Sequence, residues 1–296
     1  MISKALVLGD RGFLGRAIVE YCEKVLAISV LGGSSLGIDL LEPGTSEALA
    51  RVLDAGTLLV LSVRPRDRAD TLGTFEQSLC MIANVARALN VAPVQKCVFI
   101  STAAVYGTHV DDFAVTEETA VDPATFYGTA KYASERILRK AAEAAGFPLL
   151  ILRPCRVYGP ADPGYGPTAF VTSALRERVV TLYGDGRELR DFLFVEDAAR
   201  LTCQLAAGEH AGLYNLASGE RHTFREIVDI LHDMLPCDFD VASRPRTLPV
   251  VDQAFDIAKL SGALAGVAFT PLSQGLRHTV RAAAEAHRAG FGASRA

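Results

Sequence analysis

Hydrophobic residues in the first half of the chain form short continuous runs that alternate with longer stretches of helical periodicity. The runs predict strands at Lys4–Leu8, Val25–Val30, Thr57–Val63, Lys96–Ser101 and Leu149–Arg153. The stretches between them predict helices at Phe13–Cys22, Glu47–Leu53, Phe75–Leu89 and Phe126–Ala145. Continuous apolar strands separated by helices are typical of a parallel sheet covered on both faces. The pattern therefore predicts an α/β fold of the Rossmann type, with a doubly wound parallel sheet.

The pattern changes after Gly159, where a loop rich in proline and glycine begins. Short strands and helices are mixed in the rest of the chain. We therefore predict a main domain over residues 1–160, joined by about 191–217, and a smaller C-terminal α/β lobe over 161–190 and 218–296. Such a lobe is expected over the carboxyl ends of the strands, where ligands bind in open sheets of this type.

Composition narrows the range of functions. Half of the 296 residues are hydrophobic, and the net charge is −4, which argues against a nucleic-acid-binding protein. No apolar run approaches the length of a membrane span, and the first residues read as a strand rather than a signal peptide, so a cytoplasmic protein is expected. The six cysteines form no CxxC pair and the histidines show no ligand spacing, so no metal site is predicted.

The first predicted strand runs directly into a turn with glycines at positions 9, 12 and 15, followed by a helix. Glycines at this place allow the backbone to approach a pyrophosphate, and the helix begins with unpaired N–H groups and the positive end of its dipole. The turn therefore predicts a dinucleotide-binding site.

Two features of this region bear on the choice of dinucleotide. A carboxylate that would bind the ribose 2′-hydroxyl is expected near the end of the second strand, but Ile28–Ser35 contains none. Arg11 lies inside the glycine turn instead. A guanidinium suits a 2′-phosphate, so the sequence favours NADP(H) over NAD(H).

Tyr127 and Lys131 open the long helix and lie on one face of it, because they are four residues apart. An ammonium beside a phenol lowers the pKa of the phenol, as general acid–base catalysis requires. Thr102 follows an apolar strand about 25 residues earlier, and its hydroxyl can donate a hydrogen bond to a substrate oxygen. The three side chains predict hydride and proton exchange at an alcohol or ketone carbon.

Together with the glycine turn, these motifs resemble the extended short-chain dehydrogenase/reductase family, and within it the NAD(P)-dependent sugar-nucleotide epimerase, dehydratase and reductase branch. The similarity is carried by STAAVYG at 101–107, YGTAK at 127–131, LRPCRVYGP at 152–160, YGDG at 183–186, RDFLFVED at 190–197, YNLASG at 214–219 and PLSQGL at 271–276.

The resemblance implies a role for each matching position. Tyr127 would be the catalytic acid and base, Lys131 would bind the nicotinamide ribose and tune Tyr127, and Thr102 would position the reacting oxygen. Asp39 would contact the adenine, and Ser62–Arg64 would pass beside the dinucleotide. The implied cofactor-binding residues are Gly9, Arg11, Gly12, Phe13, Leu14, Gly15, Asp39, Leu40, Ser62, Val63, Arg64, Tyr127, Lys131 and Pro154.

The implied substrate is a nucleotide-diphosphate sugar, bound by Thr102, Arg156 and Arg190. Arg190 matches an arginine that grips the diphosphate, and Arg156 stands where an asparagine is common. The resemblance also implies a homodimer that pairs through the helix of Tyr127 and the helix before it.

Departures from the family pattern limit the reaction. Ala103 and Ala104 replace the Asp–Glu pair that 4,6-dehydratases carry after Thr102, so 4,6-dehydration is disfavoured, and Ala104 also disfavours combined 3,5-epimerisation. A 4-epimerase and a 4-ketoreductase stay open: the whole-chain similarity favours the epimerase, and the missing second-strand carboxylate favours the reductase. Two further alternatives are a ketoreductase of a non-nucleotide substrate and a non-catalytic, NADP-sensing regulator.

Overall fold

The computed structural model describes residues 2–92, 94–108, 114–164, 166–235, 237–246 and 250–293, without the side chains at 287 and 289–293. The strands are β1 (Lys4–Leu8), β2 (Ser29–Gly32), β3 (Thr57–Leu61), β4 (Lys96–Ile100), β5 (Leu149–Pro154), β6 (Arg156–Tyr158), β7 (Val179–Tyr183), β8 (Leu189–Arg190), β9 (Phe192–Phe194), β10 (Gly212–Leu216), β11 (His222–Thr223) and β12 (Asp240–Arg244). The helices are α1 (Phe13–Lys24), α2 (Thr45–Val52), α3 (Leu72–Val91), α4 (Phe126–Ala145), α5 (Pro167–Arg176), α6 (Val195–Ala207), α7 (Phe224–Met234), α8 (Ala258–Ala263) and α9 (Leu272–Ala293). Within the described ranges, none of the helices combines the length and the apolar character that crossing a membrane requires.

The main sheet confirms the predicted parallel architecture. Its six strands follow the order β10-β5-β4-β3-β1-β2, and every neighbouring pair is parallel. The direction of chain progression reverses at β1, which lies between β2 and β3 with Leu8 beside Leu61. A crevice at the carboxyl ends of such strands is the usual ligand site of a doubly wound sheet.

Two apolar layers cover the sheet, and the alternation of side chains along β1 shows how they are separated. Ala5 and Val7 are buried in the layer that α1 and α6 complete. Leu6 and Leu8 point to the opposite face, where α2, α3 and α4 cover them. Because both faces are buried, the strand is apolar at every position from Ala5 to Leu8, which is why its sequence lacks a polar alternation.

The second strand was predicted at the wrong place. The prediction was Val25–Val30, but the strand is Ser29–Gly32. Helix α1 ends later than expected, and the backbone N–H of Val25 still bonds to the carbonyl of Tyr21 at 2.9 Å. The register with β1 starts at Ser29, so the apolar residues before it belong to the end of the helix and the connection. The other predicted elements agree with the observed ones to within three residues at either end.

The remaining elements lie beyond β5. Short strands pair as β6 with β9, β7 with β12 and β8 with β11. Helices α5, α7 and α9 contact one another, whereas α6 and β10 return to the main sheet. The predicted division into two domains stays a prediction.

Candidate active site

The glycine turn between β1 and α1 brings backbone segments close together. Gly9 has a φ of +88°, and a Cβ there would overlap the carbonyl oxygen of Ser62. A Cβ at Gly15 would overlap the carbonyl oxygen of Gly9. Gly12 is the N-cap of α1, and no side chain of the described residues caps the helix there. The helix thus starts with uncapped N–H groups and the positive end of its dipole, and this cradle fits a pyrophosphate.

The other predicted residues of the turn differ in exposure. Arg11 is exposed, whereas Phe13 is half-buried and Leu14 is buried. Phe13 and Leu14 belong to the apolar layer on the α1 side of the sheet. Of these three side chains, Arg11 is therefore the one that is accessible to a ligand.

The carboxyl end of β2 holds a side chain that the sequence did not place there. The carboxylate of Asp10, from the glycine turn, lies against the backbone of Gly32 so closely that a Cβ at Gly32 would overlap it. The backbone N–H of Ser34 donates to Asp10 Oδ1 at 3.1 Å, and the Ser34 hydroxyl donates to Oδ2. The end of the second strand therefore does carry a carboxylate, supplied by another segment of the chain.

Asp39 and Leu40 occupy the connection after β2 and face different surroundings. Leu40 is buried, and its carbonyl accepts a hydrogen bond from Asn84 Nδ2 at 2.8 Å. The carboxylate of Asp39 accepts a hydrogen bond from the backbone of Leu41 at 3.1 Å and lies 3.7 Å from the guanidinium of Arg66. Its side chain is 45% exposed, so Asp39 can meet a ligand and the side chain of Leu40 cannot.

The turn after β3 joins the glycine turn to α4. The backbone N–H of Ser62 donates to the carbonyl of Leu8 at 2.9 Å. Val63 is buried and Arg64 is exposed. The guanidinium carbon of Arg64 lies 5.3 Å from the centre of the Tyr127 ring. The predicted Ser62–Arg64 segment thus touches both the glycine turn and the predicted catalytic tyrosine.

Thr102 and Tyr127 meet at the carboxyl end of β4. Thr102 caps a 3₁₀ turn over Ala103–Tyr106, and its hydroxyl accepts a hydrogen bond from the backbone of Ala104 at 3.2 Å. Tyr127 is the second residue of α4, and its backbone N–H donates to Asp70 Oδ1 at 2.9 Å. The Thr102 side chain lies close enough to the Tyr127 phenol to lower the pKa of that phenol. Both hydroxyls can therefore reach one substrate oxygen.

Lys131 is buried one helical turn after the phenol. Its ammonium donates to the carbonyl of Val63 at 3.1 Å and to that of Ile100 at 2.8 Å. Burial, helped by the nearby charge of Arg64, lowers the pKa of Lys131 to about 7, and the charge of Glu135 opposes this effect. The lysine thereby connects α4 to the carboxyl ends of β3 and β4.

The electrostatic partners of Tyr127 differ from the prediction. Burial raises the pKa of the Tyr127 phenol, and the charges that oppose this shift are those of Arg64 and Arg68, together with the hydrogen bond from Thr102. The sequence assigned the tuning charge to Lys131. In the structure two carbonyls engage the Lys131 ammonium, and Arg64 is the cation over the phenol ring.

A buried ion pair joins α4, which carries the predicted catalytic tyrosine, to β5. The carboxylate of Glu135 on α4 accepts hydrogen bonds from Nε and Nη2 of Arg153 on β5, at 2.9 and 2.8 Å. It also accepts a hydrogen bond from the Ser101 hydroxyl at 2.6 Å. The guanidinium of Arg153 also lies 4.8 Å from the ring centre of Tyr106, whose hydroxyl donates to Asn215 at 2.7 Å. This network holds the catalytic face of α4 in register with β4 and β5.

Arg156 and Arg190 are brought near each other by β6 and β8. Burial and the neighbouring charge of Arg156 lower the pKa of Arg190 to about 10, whereas Glu188 and Asp252 oppose the shift. Two cations that repel each other in a partly buried place favour an anion between or beside them. The structure thus brings the two predicted substrate-binding arginines together.

A buried carboxylate secures the strand that carries Arg190. Asp191 is 2% exposed and accepts hydrogen bonds from the Ser218 hydroxyl at 2.8 Å and the Cys155 thiol at 3.4 Å. Cys155 follows Pro154, the buried last residue of β5. Asp191 therefore joins the segment of Arg190 to the end of the main sheet, where Pro154 was predicted to line the cofactor site.

Sequence reasoning missed several residues of this region. Glu135 lies eight positions after Tyr127 on the same helix, so periodicity would have placed it on the catalytic face. Arg153, the partner of Glu135, and Asp191, the partner of Ser218, carry no comparable signal, because each pair joins segments that are far apart in the chain. Asp10 was visible in the glycine turn, but nothing in its own segment indicates that it reaches β2.

A comparison with protein-family models decides the family. The model described as "NAD dependent epimerase/dehydratase family" matches residues 5–217. The chain belongs to this family. The matched region contains the glycine turn, the Thr102–Tyr127 pair, Lys131 and both arginines.

Curated members of the epimerase/dehydratase family align with parts of the chain. An uncharacterized UDP-glucose epimerase of Bacillus subtilis, YtcB, is 30% identical over 144 residues, which are 48% of this chain and 45% of that protein. The chain thus spans less than half the length of this relative. UDP-glucose 4-epimerase of Mycolicibacterium smegmatis is 27% identical over 259 residues, which are 76% of this chain and 80% of that protein.

Solved structures of the family agree with the fold along almost the whole chain. UDP-glucose 4-epimerase of Thermus thermophilus in complex with NAD is 25% identical, with a TM-score of 0.80 over 96% of this chain and 99% of that one. UDP-N-acetylglucosamine 4-epimerase of Methanobrevibacter ruminantium has a TM-score of 0.83 with the same coverage and 20% identity. The second likeness shows the fold alone.

Proposed function

We propose that the chain is an NAD(P)-dependent 4-epimerase of a nucleotide-diphosphate sugar. The observation that carries the proposal is the proximity of the Thr102 and Tyr127 side chains, with the Lys131 ammonium bound to carbonyls just after β3 and at the end of β4. This place adjoins the glycine turn, where the strand order reverses. The 4-epimerases among the relatives support the choice of reaction.

In this proposal the two hydroxyls handle the proton at the C4 oxygen of the sugar. Tyr127 removes the proton as the alcohol becomes a ketone and returns it afterwards, while Thr102 donates a hydrogen bond to the same oxygen. A nicotinamide whose ribose is bound by Lys131 would supply the hydride acceptor for C4 and the hydride donor for either face of the resulting C4 ketone. Arg64 and Arg68 favour the phenolate during this cycle because their charges oppose the effect of burial on the Tyr127 pKa.

The remaining predicted residues bind and orient the two ligands. The glycine turn would hold the pyrophosphate of the dinucleotide. Lys131 would bind the nicotinamide ribose through its ammonium, which donates to the carbonyls of Val63 and Ile100 in this structure. Arg156 and Arg190 would bind the diphosphate of the substrate, because each guanidinium offers a fork of donors. In this arrangement residues 161–190 and 218–296 form the substrate-binding lobe, and 1–160 with 191–217 form the dinucleotide-binding domain.

We further propose that two copies pair through α3 and α4. Leu72 and Phe126 at the starts of these helices are 55% and 43% exposed, and the Phe126 ring lies 6.1 Å from that of Phe75. An apolar surface of this kind suits a helix–helix interface between protomers. Light scattering of the purified protein checks the predicted dimer.

We also propose a cytoplasmic location, because none of the six cysteines, all of which the structure describes, forms a disulfide.

The deciding experiment asks which dinucleotide the protein retains and whether it needs more. The purified protein is denatured, the released dinucleotide is identified by mass spectrometry, and nucleotide-diphosphate hexoses, beginning with UDP-glucose, are then tested without added cofactor. We expect tightly retained NAD(P) and interconversion of the C4 epimers. Turnover of 4-keto sugars that consumes added NAD(P)H instead would contradict the epimerase and support the 4-ketoreductase. Turnover confined to ketones that lack a nucleotide would remove the assignment to sugar nucleotides.

A further inference from the structure

The carboxylate of Asp10 occupies a position that matters for cofactor choice. It leaves the glycine turn and lies over the backbone of Gly32 at the carboxyl end of β2, where a Cβ at residue 32 would overlap the carboxylate in its present position. The backbone N–H and the hydroxyl of Ser34 hold it in place from the connection after β2. Each of its two oxygens thus has one donor from Ser34.

The dinucleotide must lie across this position if it serves the catalytic residues. The nicotinamide half has to face Tyr127 and Thr102, which lie at the ends of α4 and β4 nearest the crevice. The pyrophosphate fits the glycine turn at the start of α1, so the adenosine half extends to the other side of β1, toward β2. The ribose next to the pyrophosphate then lies beside the carboxylate of Asp10.

The carboxylate retains the capacity to bind this ribose. A carboxylate offers about four lone-pair sites. Ser34 uses one site on each oxygen, so one site on each remains for the vicinal hydroxyls of a ribose. A 2′-phosphate brings about −1.5 to −2 charges to the same place, and a carboxylate held in position by Ser34 repels it.

We propose that Asp10 binds the adenine ribose hydroxyls and selects NAD(H) against NADP(H). This inference rests on the proposed function only in requiring that the protein bind a nicotinamide dinucleotide. It reverses the preference for NADP(H) drawn from the sequence, because that preference assumed that the end of the second strand has no carboxylate. Arg11, the other basis for NADP(H), is exposed and lies next to this carboxylate in the chain.

The test measures dinucleotide binding directly, apart from catalysis. Dissociation constants for NAD⁺ and NADP⁺ are determined by calorimetry for the wild type, Asp10→Asn and the control Asp229→Asn. The control removes the same charge from an exposed position of α7. The amide of Asp10→Asn still accepts a bond from Ser34, so the turn is expected to fold.

We expect the wild type and the control to bind NAD⁺ at least about tenfold more tightly than NADP⁺. In Asp10→Asn, loss of charge-assisted hydrogen bonds should weaken NAD⁺ about tenfold, while the affinity for NADP⁺ stays equal or rises. Ser34→Ala provides a second variant, which keeps the charge but frees the carboxylate. It should weaken NAD⁺ by a smaller factor and still reject NADP⁺.

Equal changes for the two dinucleotides in Asp10→Asn, or none, would overturn the inference, since a residue that only stabilises the turn does not alter their ratio. A wild type that prefers NADP⁺ and loses this preference in Arg11→Ala would overturn it as well. Both results leave the dinucleotide-dependent function intact. A wild type that binds neither dinucleotide contradicts the proposed function itself.

Discussion

The predicted cofactor side of the site is formed mainly by backbone atoms, whereas its predicted substrate side is formed by side chains. On the cofactor side, the shape comes from the backbone: Gly9 and Gly15 let the chain approach the carbonyls of residues 9 and 62 more closely than any Cβ allows. On the substrate side, the predicted binding groups are the long side chains of Arg156 and Arg190, which two separate short strands bring together. A shape formed by the backbone requires particular residues within a short segment. The proximity of two side chains instead depends on how the intervening chain folds.

The two sides also differ in charge. Asp10 places a carboxylate at the end of β2, close to the positive end of α1. On the predicted substrate side, burial and the neighbouring charge of Arg156 lower the pKa of Arg190 to about 10. The first side suits a neutral diol next to a pyrophosphate, and the second suits a dianion. The predicted catalytic residues, Thr102 and Tyr127, follow β4 and begin α4, between these two predicted sides.

The largest expected effect concerns Tyr127, which serves both sides. Tyr127→Phe removes the proton-transfer group and should lower the turnover rate about 10²- to 10⁴-fold, while the dissociation constants of both ligands change little. Steady-state kinetics and calorimetry check this. Tyr21→Phe on α1, distant from the crevice, serves as control. Full biological activity in Tyr127→Phe would instead support the non-catalytic, NADP-sensing regulator.

The next effect separates the substrate side from the cofactor side. Arg190→Ala removes charge-assisted hydrogen bonds to the diphosphate and should raise the KM for the nucleotide sugar about ten- to a hundredfold. Binding of the dinucleotide should not change. Arg187→Ala, whose side chain is 83% exposed and paired with Asp185, is the control. An unchanged KM in Arg190→Ala would point to a ketone substrate without a nucleotide.

The third prediction concerns a backbone change in the glycine turn, on the predicted cofactor side. A Cβ in Gly15→Ala would overlap the Gly9 carbonyl, so the turn has to shift, at a cost of about 1–3 kcal/mol in the free energy of unfolding. Affinity for NAD⁺ should fall about tenfold or more. Gly262→Ala on α8 meets open space, so it should leave the affinity unchanged and raise the free energy of unfolding by up to about 1 kcal/mol, because alanine favours a helix. Wild-type stability and affinity in Gly15→Ala would show that the turn is not tightly constrained.

The smallest effect concerns the pH dependence of stability. The pKa of Lys131 is about 7 in the folded chain and about 10.4 when unfolded, so the unfolded state binds more protons between these values. Stability should therefore rise with pH in the wild type relative to Lys131→Met, by about 2 kcal/mol between pH 7 and pH 9. Urea denaturation at both pH values measures this. In the control Lys140→Met, at an exposed position, the free energy of unfolding should change with pH as it does in the wild type. If it also changes with pH in Lys131→Met as in the wild type, the effect of burial on the pKa of Lys131 is refuted.

The sequence predicted the architecture well because the sheet is buried on both faces. Strands β1 and β4 are apolar at every position after their first lysine. Helix α4 matches its predicted bounds because Thr125 caps its start and Gly146 takes the left-handed conformation at its end. The second strand was misplaced because its apolar approach belongs to the end of α1. Pairing with β1 sets its position, and that pairing is not a local property of the segment.

The candidate site divides in the same way. The spacing of Tyr127 and Lys131 on one helical face follows from the helix repeat alone. The contacts between the segments do not: Arg64 lies over the Tyr127 ring, and two carbonyls engage Lys131, because β3, β4 and α4 converge at one end of the sheet. Glu135 and Arg153 likewise form their ion pair across a helix and a strand.

What the sequence by itself determined is the family, the alternation of strands and helices, and the residues whose type is required locally, above all the glycines of the first turn. These features depend on backbone conformation and on burial patterns, which neighbouring residues specify. Only the tertiary structure decided which charged side chain meets which partner. Asp10 shows why: its carboxylate lies at the end of β2 and accepts a bond from Ser34, 24 residues further along the chain, because parallel pairing of β1 and β2 aligns their ends.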